Sequence, residues 1–267
     1  MEPGPRRGKA LTRSRLSDIA LPLIGTAIVV AAWELASRFG AIDPRIFPGP
    51  ITAISDAAGR LAADTVGDHM AWSLFRVFSG FAIGVFAGVI VGVLAGWYRW
   101  FGLIARPLIE LLRPIPPLAW IPLAIIWFGL GEPSKFFIIF LGAFFPVLTA
   151  TYHGVTHVDP ILVRAAQTLG LRGSPLLVRI VLPAASPDIA TGIRIGWGLS
   201  FGVLVAAELI AADRGLGYMI MNERNTGGSV SVIIVGILLI GFLNLLTDAV
   251  IGSAIQRWIG RWHGSGT

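Results

Sequence analysis

Asp159-Pro160-Ile161-Leu162-Val163-Arg164-Ala165-Ala166-Gln167-Thr168-Leu169-Gly170 is a polar segment set between two strongly apolar stretches. It continues through Ser174-Pro175 to Ile180-Val181-Leu182-Pro183. Asp at an N-cap with Pro at the first helical position predicts a short helix from 160 that stops at Gly170. Ser174-Pro175 repeats the signal for a second short helix, which Pro183 is expected to end. Ser186-Pro187 repeats it again and launches the next apolar run. Two short capped helices about a glycine hinge make a shelf at a membrane surface, a docking element over residues 159–187.

The surroundings of this segment are membrane-like. Of 267 residues, 55% are hydrophobic and only 13% charged, and the mean hydropathy is +0.76. Soluble domains carry about 25% charged residues, so the chain reads as an all-α membrane protein. With no cysteine, disulfides, zinc–thiolate sites and thiol catalysis are excluded. The formal charge of +6 does not indicate nucleic acid, because Arg and Lys gather beside apolar runs, where they set topology and meet anionic lipid.

Six spans of bilayer length are expected, at roughly 19–39, 78–97, 102–130, 134–152, 188–212 and 230–254. Residues 1–18 form a basic tail; the apolar run after it is longer than a signal-peptide core and reads as a retained first span. With the N-terminus inside, twelve basic residues fall in inner segments and seven in outer ones. That bias places both termini and the 159–187 loop in the cytoplasm. The permease body is then 19–257, followed by a short cytoplasmic tail at 258–267.

Several spans carry unusual residues. Gly80, Gly84, Gly88, Gly92 and Gly96 recur every fourth position and predict a face for close helix packing. Arg106, Glu110 and Arg113, followed by Pro114, Pro116 and Pro117, predict a broken third span with one carboxylate able to pair with two guanidiniums. Candidates for a translocation pathway are Arg113 and Trp120 there, and Arg194, Ser200 and Glu208 on the fifth span. Arg194 and Glu208 lie about 21 Å apart along the helix and cannot pair with each other. Asn244 and Asp248 share a face of the sixth span as interhelical glue. Ile51, Ile54, Ala58 and Leu61 mark a short helix at the outer interface. His153 and His157 have helical spacing but no acidic residue beside them in sequence, which argues against a metal site. No G-x-x-x-x-G-K-[ST] loop and no nucleophile–base constellation is present, so the chain is not an enzyme by itself.

The 159–187 loop resembles the coupling loop of bacterial ABC importer permeases, which reads Glu-Ala-Ala, three residues, Gly, nine residues, Ile-x-Leu-Pro. Ala165-Ala166, Gly170 and Ile180-Val181-Leu182-Pro183 stand at that spacing; Arg164 replaces the Glu, so a contact made by the Glu is not carried over. Arg113–Pro122, Ile126–Glu132 and Ala206–Ala211 with Arg214–Tyr218 resemble the taurine, aliphatic-sulfonate and nitrate branch, and most of all its taurine permeases. The resemblance covers roughly 45–260. It implies a type I importer permease fold of the MetI-like kind and a homodimer. Two ATPase subunits, which bind ATP and Mg themselves, would dock on Arg164, Ala165, Ala166, Gly170, Leu171, Ile180, Leu182 and Pro183. It also implies a periplasmic or lipid-tethered binding protein, an inner-membrane location, and a small anionic cargo: a sulfonate first, with nitrate, bicarbonate or a vitamin precursor as alternatives. No cofactor is expected on this chain. A stand-alone secondary transporter would fit six spans but has no use for a docking loop. A non-transporting scaffold has no use for a broken span.

Overall fold

The computed structural model describes residues 10–40, 43, 46–60 and 63–260, and every regular element among them is helical. In chain order these are α1 (Ala10–Arg38), α2 (Pro50–Arg60), α3 (Ala63–Trp97), α4 (Arg99–Leu112), a 3₁₀ turn (Pro117–Trp120) and α5 (Ile121–Phe128). They continue with α6 (Glu132–Thr156), α7 (Pro160–Thr168), α8 (Gly173–Leu176), a π turn (Leu177–Val181), α9 (Leu182–Ala211), α10 (Leu216–Asn225) and α11 (Val230–Gly260). Half of the expected first 18 residues and most of the C-terminal tail lie outside the described residues, as does Leu61. Five helices are long and apolar enough to cross a bilayer, and α4 with α5 passes the same test as a pair bent by 88°.

Packing direction decides that the bent pair crosses too. The glycines of α3 step along α6 in register: Gly80 on Ile139, Gly84 on Ala143, Gly88 on Val147, Gly92 on Thr151, Gly96 on Val155. Both helices advance four residues per step, so they run parallel. A Cβ on Gly84 would stand 2.7 Å from Ala143 Cβ and 2.8 Å from the Phe140 carbonyl, so the backbones touch where side chains would hold them apart. In lipid, where no hydrophobic drive brings helices together, this close approach supplies dispersion and Cα–H contacts instead. Parallel neighbours need a return path between them. The chain leaves α3 beside Val155 and must re-enter α6 at its other end, and only α4 and α5 can carry it there. α9 runs antiparallel on the same α6, Gly142 meeting Ser200 and Gly154 meeting Asp188 and Ala185.

Two expectations about the helices need correction. Pro183 does not end the second loop helix, and Ser186-Pro187 does not start a span: helical geometry continues from Gly173 through Ala211. The Leu182 N–H bonds back to the Leu177 carbonyl, a π turn that widens the backbone where the Pro183 ring would otherwise meet the Arg179 carbonyl. Ser186 is buried inside this helix and caps nothing. The first arm of the loop also begins differently from the second, because the N-cap of α8 is Arg172 and not Ser174.

The third span breaks where its prolines predict, but its charges are not buried. Arg106 pairs with Glu110 at 3.3 Å with both side chains exposed, and Arg113 joins no ion pair among the described residues. The second span starts fifteen residues earlier than hydropathy suggests, at Ala63 instead of 78, which brings Arg76 inside the helix.

The chain divides into two compact units, the described residues of Met1–Ala62 with Glu223–Val235, and Ala63–Asn222 with Gly236–Thr267. In the first, Pro50, Ala53 and Ala57 of α2 are buried, while Ile51 and Ile54 stay exposed on the expected apolar face. Glu34 of α1 accepts the Ile51 N–H at 3.2 Å, and Asp56 pairs with Arg60 and accepts from Ser229.

Candidate functional site

The loop corner is built as its sequence predicts, and the geometry explains the spacing. The Asp159 carboxylate accepts the Ile161 N–H at 2.7 Å and Pro160 opens α7, an N-cap with proline at N1. At the other end the Leu171 N–H bonds to the Ala166 carbonyl and the Gly170 N–H to the Gln167 carbonyl. This is the Schellman pair of bonds, closed by Gly170 at φ +87°. Ala-x-x-x-Gly is therefore the distance from C3 to C′ of a helix end. Ala166 must be small because it is buried, and position 170 must tolerate the left-handed region. A second left-handed glycine, Gly173 at φ +59°, turns the chain into the next arm; sequence reasoning passed over it.

The two faces of the corner differ. Toward the membrane helices, Leu176 and Val181 are buried, and Val181 packs in one cluster with Val155, Ala185 and Ile189, against Val89, Val93 and Trp97 of α3. Ile180, Leu182, Pro183 and Leu171 are half-buried along this anchoring arm. On the opposite face Ile161, Ala165 and Leu169 form an i, i+4, i+8 stripe open to solvent, with Leu169 83% exposed. Arg164 lies beside the stripe, exposed, and lines a cleft of about 410 Å³ with Trp97, Val163 and Val181.

A cavity of about 550 Å³ lies where α6 and α9 face the break between α4 and α5. Its walls are mostly apolar, and its ionisable side chains are Arg113, His153 and Asp188. Of the five pathway candidates, Arg113 lines this cavity. The others do not line this cavity. Trp120 packs against Ile121, Ala124, Ile138 and Val203. Ser200 is wholly buried and donates to the Ile139 carbonyl at the α6–α9 crossing. Arg194 pairs with Asp248 of α11 at 3.3 Å, so the interhelical role expected for Asp248 is seen. The view that His153 lacks acidic company is corrected: its ring stacks on His157 and its Nδ1 lies 3.8 Å from Asp188, thirty-five residues away in sequence but on the adjoining helix.

Glu208 belongs to a cluster that sequence reasoning missed. At the end of α3, α6 and α9 opposite α7, the fully buried Arg76 donates to Glu132 through Nε and Nη2 at 2.7 Å each, and to Glu208 through Nη1 at 2.8 Å. Its Nη1 also donates to the Arg214 carbonyl. Glu208 accepts the Gly217 N–H at 3.0 Å and lies 2.9 Å from the Ser73 hydroxyl, while Lys135 donates to Glu132 at 2.9 Å. A guanidinium this satisfied offsets its desolvation, and the loop 213–217 is tied to three helices at once. Gly215 and Gly217 are forced by the approach, because a Cβ on either would strike Glu208. The spacing Glu208, Gly215, Gly217 was the available signal. Arg76 gave none, since a charged residue pulls its own hydropathy window out of the membrane.

Residues 84–263 match the family model described as binding-protein-dependent transport system inner membrane component. The chain is 41% identical over 244 residues to a protein of Methanocaldococcus jannaschii provisionally described as an ABC transporter permease, covering 90% of each chain. It is 38% identical over 248 residues to the taurine transport system permease protein of Escherichia coli, 90% of this chain and 89% of that one. With the bicarbonate transport system permease protein of Synechococcus elongatus it shares 34% identity over 259 residues, 92% and 91% of the two chains. An all-helical core with a glycine-packed parallel pair, a broken third span and a capped corner at the family spacing thus belongs to the binding-protein-dependent transport system inner membrane components, and the chain is an ABC transporter permease.

Proposed function

We propose that this permease is the membrane half of an ATP-driven importer for a small anionic solute, a sulfonate first among candidates. It works as two identical copies, with two ATPase subunits docked on the α7 corners. The observation that carries the reading is the split character of the corner: one face locked into α3, α6 and α9, the other an exposed apolar stripe at Ile161, Ala165 and Leu169. The chain has no phosphate-binding loop, so ATP and Mg belong to the docked subunit and this chain hydrolyses nothing.

The basic residues support an orientation with α7 and both termini in the cytoplasm and the bilayer being the inner membrane. Of the seven cations counted on the outer side, Arg76 and Lys135 are consumed in buried pairs, which strengthens the bias of hydrated charge toward the α7 side. A solute-binding protein then delivers cargo to the opposite face. Closure of the ATPase pair moves the corner, and the unbroken helix from Gly173 to Ala211 carries that motion past the cavity, exposing it alternately to the two sides.

The sulfonate preference rests on the taurine relative and on Arg113, the guanidinium in the cavity lining, which has no ion pair among the described residues. The bicarbonate relative favours a second cargo class on the same architecture. The test is reconstitution in vesicles with the ATPase and binding protein. Taurine should stimulate ATP hydrolysis, and its uptake should require the ATPase; equal uptake without the ATPase contradicts the reading. Stimulation by bicarbonate in place of taurine selects the second cargo.

A further inference from the structure

The ionisable groups of the main cavity are unequally satisfied. Outside its lining Arg106 has Glu110 at 3.3 Å and Arg194 has Asp248 at 3.3 Å, whereas Arg113, in the lining, has no carboxylate among the described residues within ion-pair distance. Among the described residues the ion-pair partner of Asp188 is the imidazole of His153, at 3.8 Å, beyond hydrogen-bond reach. The two threonines of the lining spend their hydroxyl protons on their own helix, Thr149 on the Phe145 carbonyl at 2.8 Å and Thr191 on the Pro187 carbonyl at 2.9 Å. A solute in this cavity therefore meets an open guanidinium, an under-used carboxylate and apolar walls. A simple anion gains from Arg113 but is repelled by Asp188. A molecule with an acid group at one end and an ammonium at the other gains from both.

We propose that Arg113 and Asp188 form a transit site for a small zwitterion, the cargo's acid group on Arg113 and its ammonium on Asp188, so that Asp188 selects amino-substituted cargo over purely anionic cargo. The proposal rests on the importer reading above and deepens it by naming the class of sulfonate.

The test uses the reconstituted complex of permease, ATPase and binding protein, with 2-aminoethanesulfonate (taurine) and 2-hydroxyethanesulfonate as cargo. The same binding protein serves every variant, so its own preference cancels in the comparison. Asp188→Asn should lower the ratio of amino to hydroxy cargo taken up by about tenfold, the scale of one hydrogen bond to a charged group. Asp188→Glu should restore most of it, and Arg113→Gln should lower uptake of both cargoes. An unchanged ratio in Asp188→Asn, whether both cargoes fall together or neither does, overturns the zwitterion site and leaves the importer reading standing. Equal taurine uptake by Asp188→Asn and Asp188→Glu overturns it as well, independently of the hydroxy cargo. Failure of the unmodified complex to take up either sulfonate overturns the sulfonate reading and this site with it.

Discussion

The two ends of the α3–α6–α9 core are held by opposite kinds of chemistry. At one end Arg76 is 0% exposed and its donors are spent on Glu132, Glu208 and a backbone carbonyl. At the other end the corner presents Leu169 and Ile161 to solvent, and the cavity nearby carries an arginine without a partner. A cluster with every group satisfied has one arrangement and resists motion; an apolar stripe and an unmatched charge gain only when something arrives. The ion cluster thus fixes the helices relative to one another, and the corner and cavity are where a partner and a solute act.

The largest expected effect is at the locked end. Arg76→Met leaves the buried Glu208 without its counter-charge and takes from the half-buried Glu132 one of its two cations, at a cost of about 3–5 kcal/mol. In thermal unfolding of the detergent-solubilised protein it should melt far below the parent, whereas Arg106→Met, on an exposed pair, should barely shift the transition. Similar shifts for both would erase the distinction between the two ends.

At the open end the effect should fall on association and not on folding. Gly170→Pro cannot adopt φ +87° and loses the N–H that closes α7 on Gln167. The local cost of losing the left-handed corner is about 1–2 kcal/mol, small beside the Arg76 change. ATPase co-purification should be lost while the melting transition stays well above that of Arg76→Met. Retained association would detach the corner from docking.

The smallest effect gives a scale from outside both ends. Asp56 of α2 is held down to about 2 by hydrogen bonds from Arg60, Ser229 and Ser231. A depressed carboxyl stabilises the fold above its ordinary value near 3.8, and that contribution is lost as pH falls from there toward 2. Melting temperature measured between pH 5 and 2 should fall slightly less in Asp56→Asn than in the parent; identical slopes would remove Asp56 from the acid response.

How much of this could be read in the sequence follows the range of the interactions. The caps of α7, the glycine comb and the proline break are local signals, and each formed where its residues stand. Pro183 misled because its rule assumes α geometry, and a π turn one step upstream removes the clash on which the rule depends. The Arg76 cluster and the His153–Asp188 pair join residues 35 to 138 positions apart, so only the folded packing brings them together. The same locality explains why the partners of Ser200 and Glu208 were not legible: a polar residue in a span advertises itself, but not which neighbour it faces.

The most direct test of docking at the corner uses the absence of native cysteine, which makes any single Cys variant uniquely labelled. The thiol of Leu169→Cys should react readily with a hydrophilic maleimide in the permease alone and at least about tenfold more slowly with the ATPase bound, while Ile126→Cys on α5 should be unaffected by the ATPase. Equal reactivity of Leu169→Cys with and without a bound, active ATPase would contradict the account, because the stripe would then be facing something else.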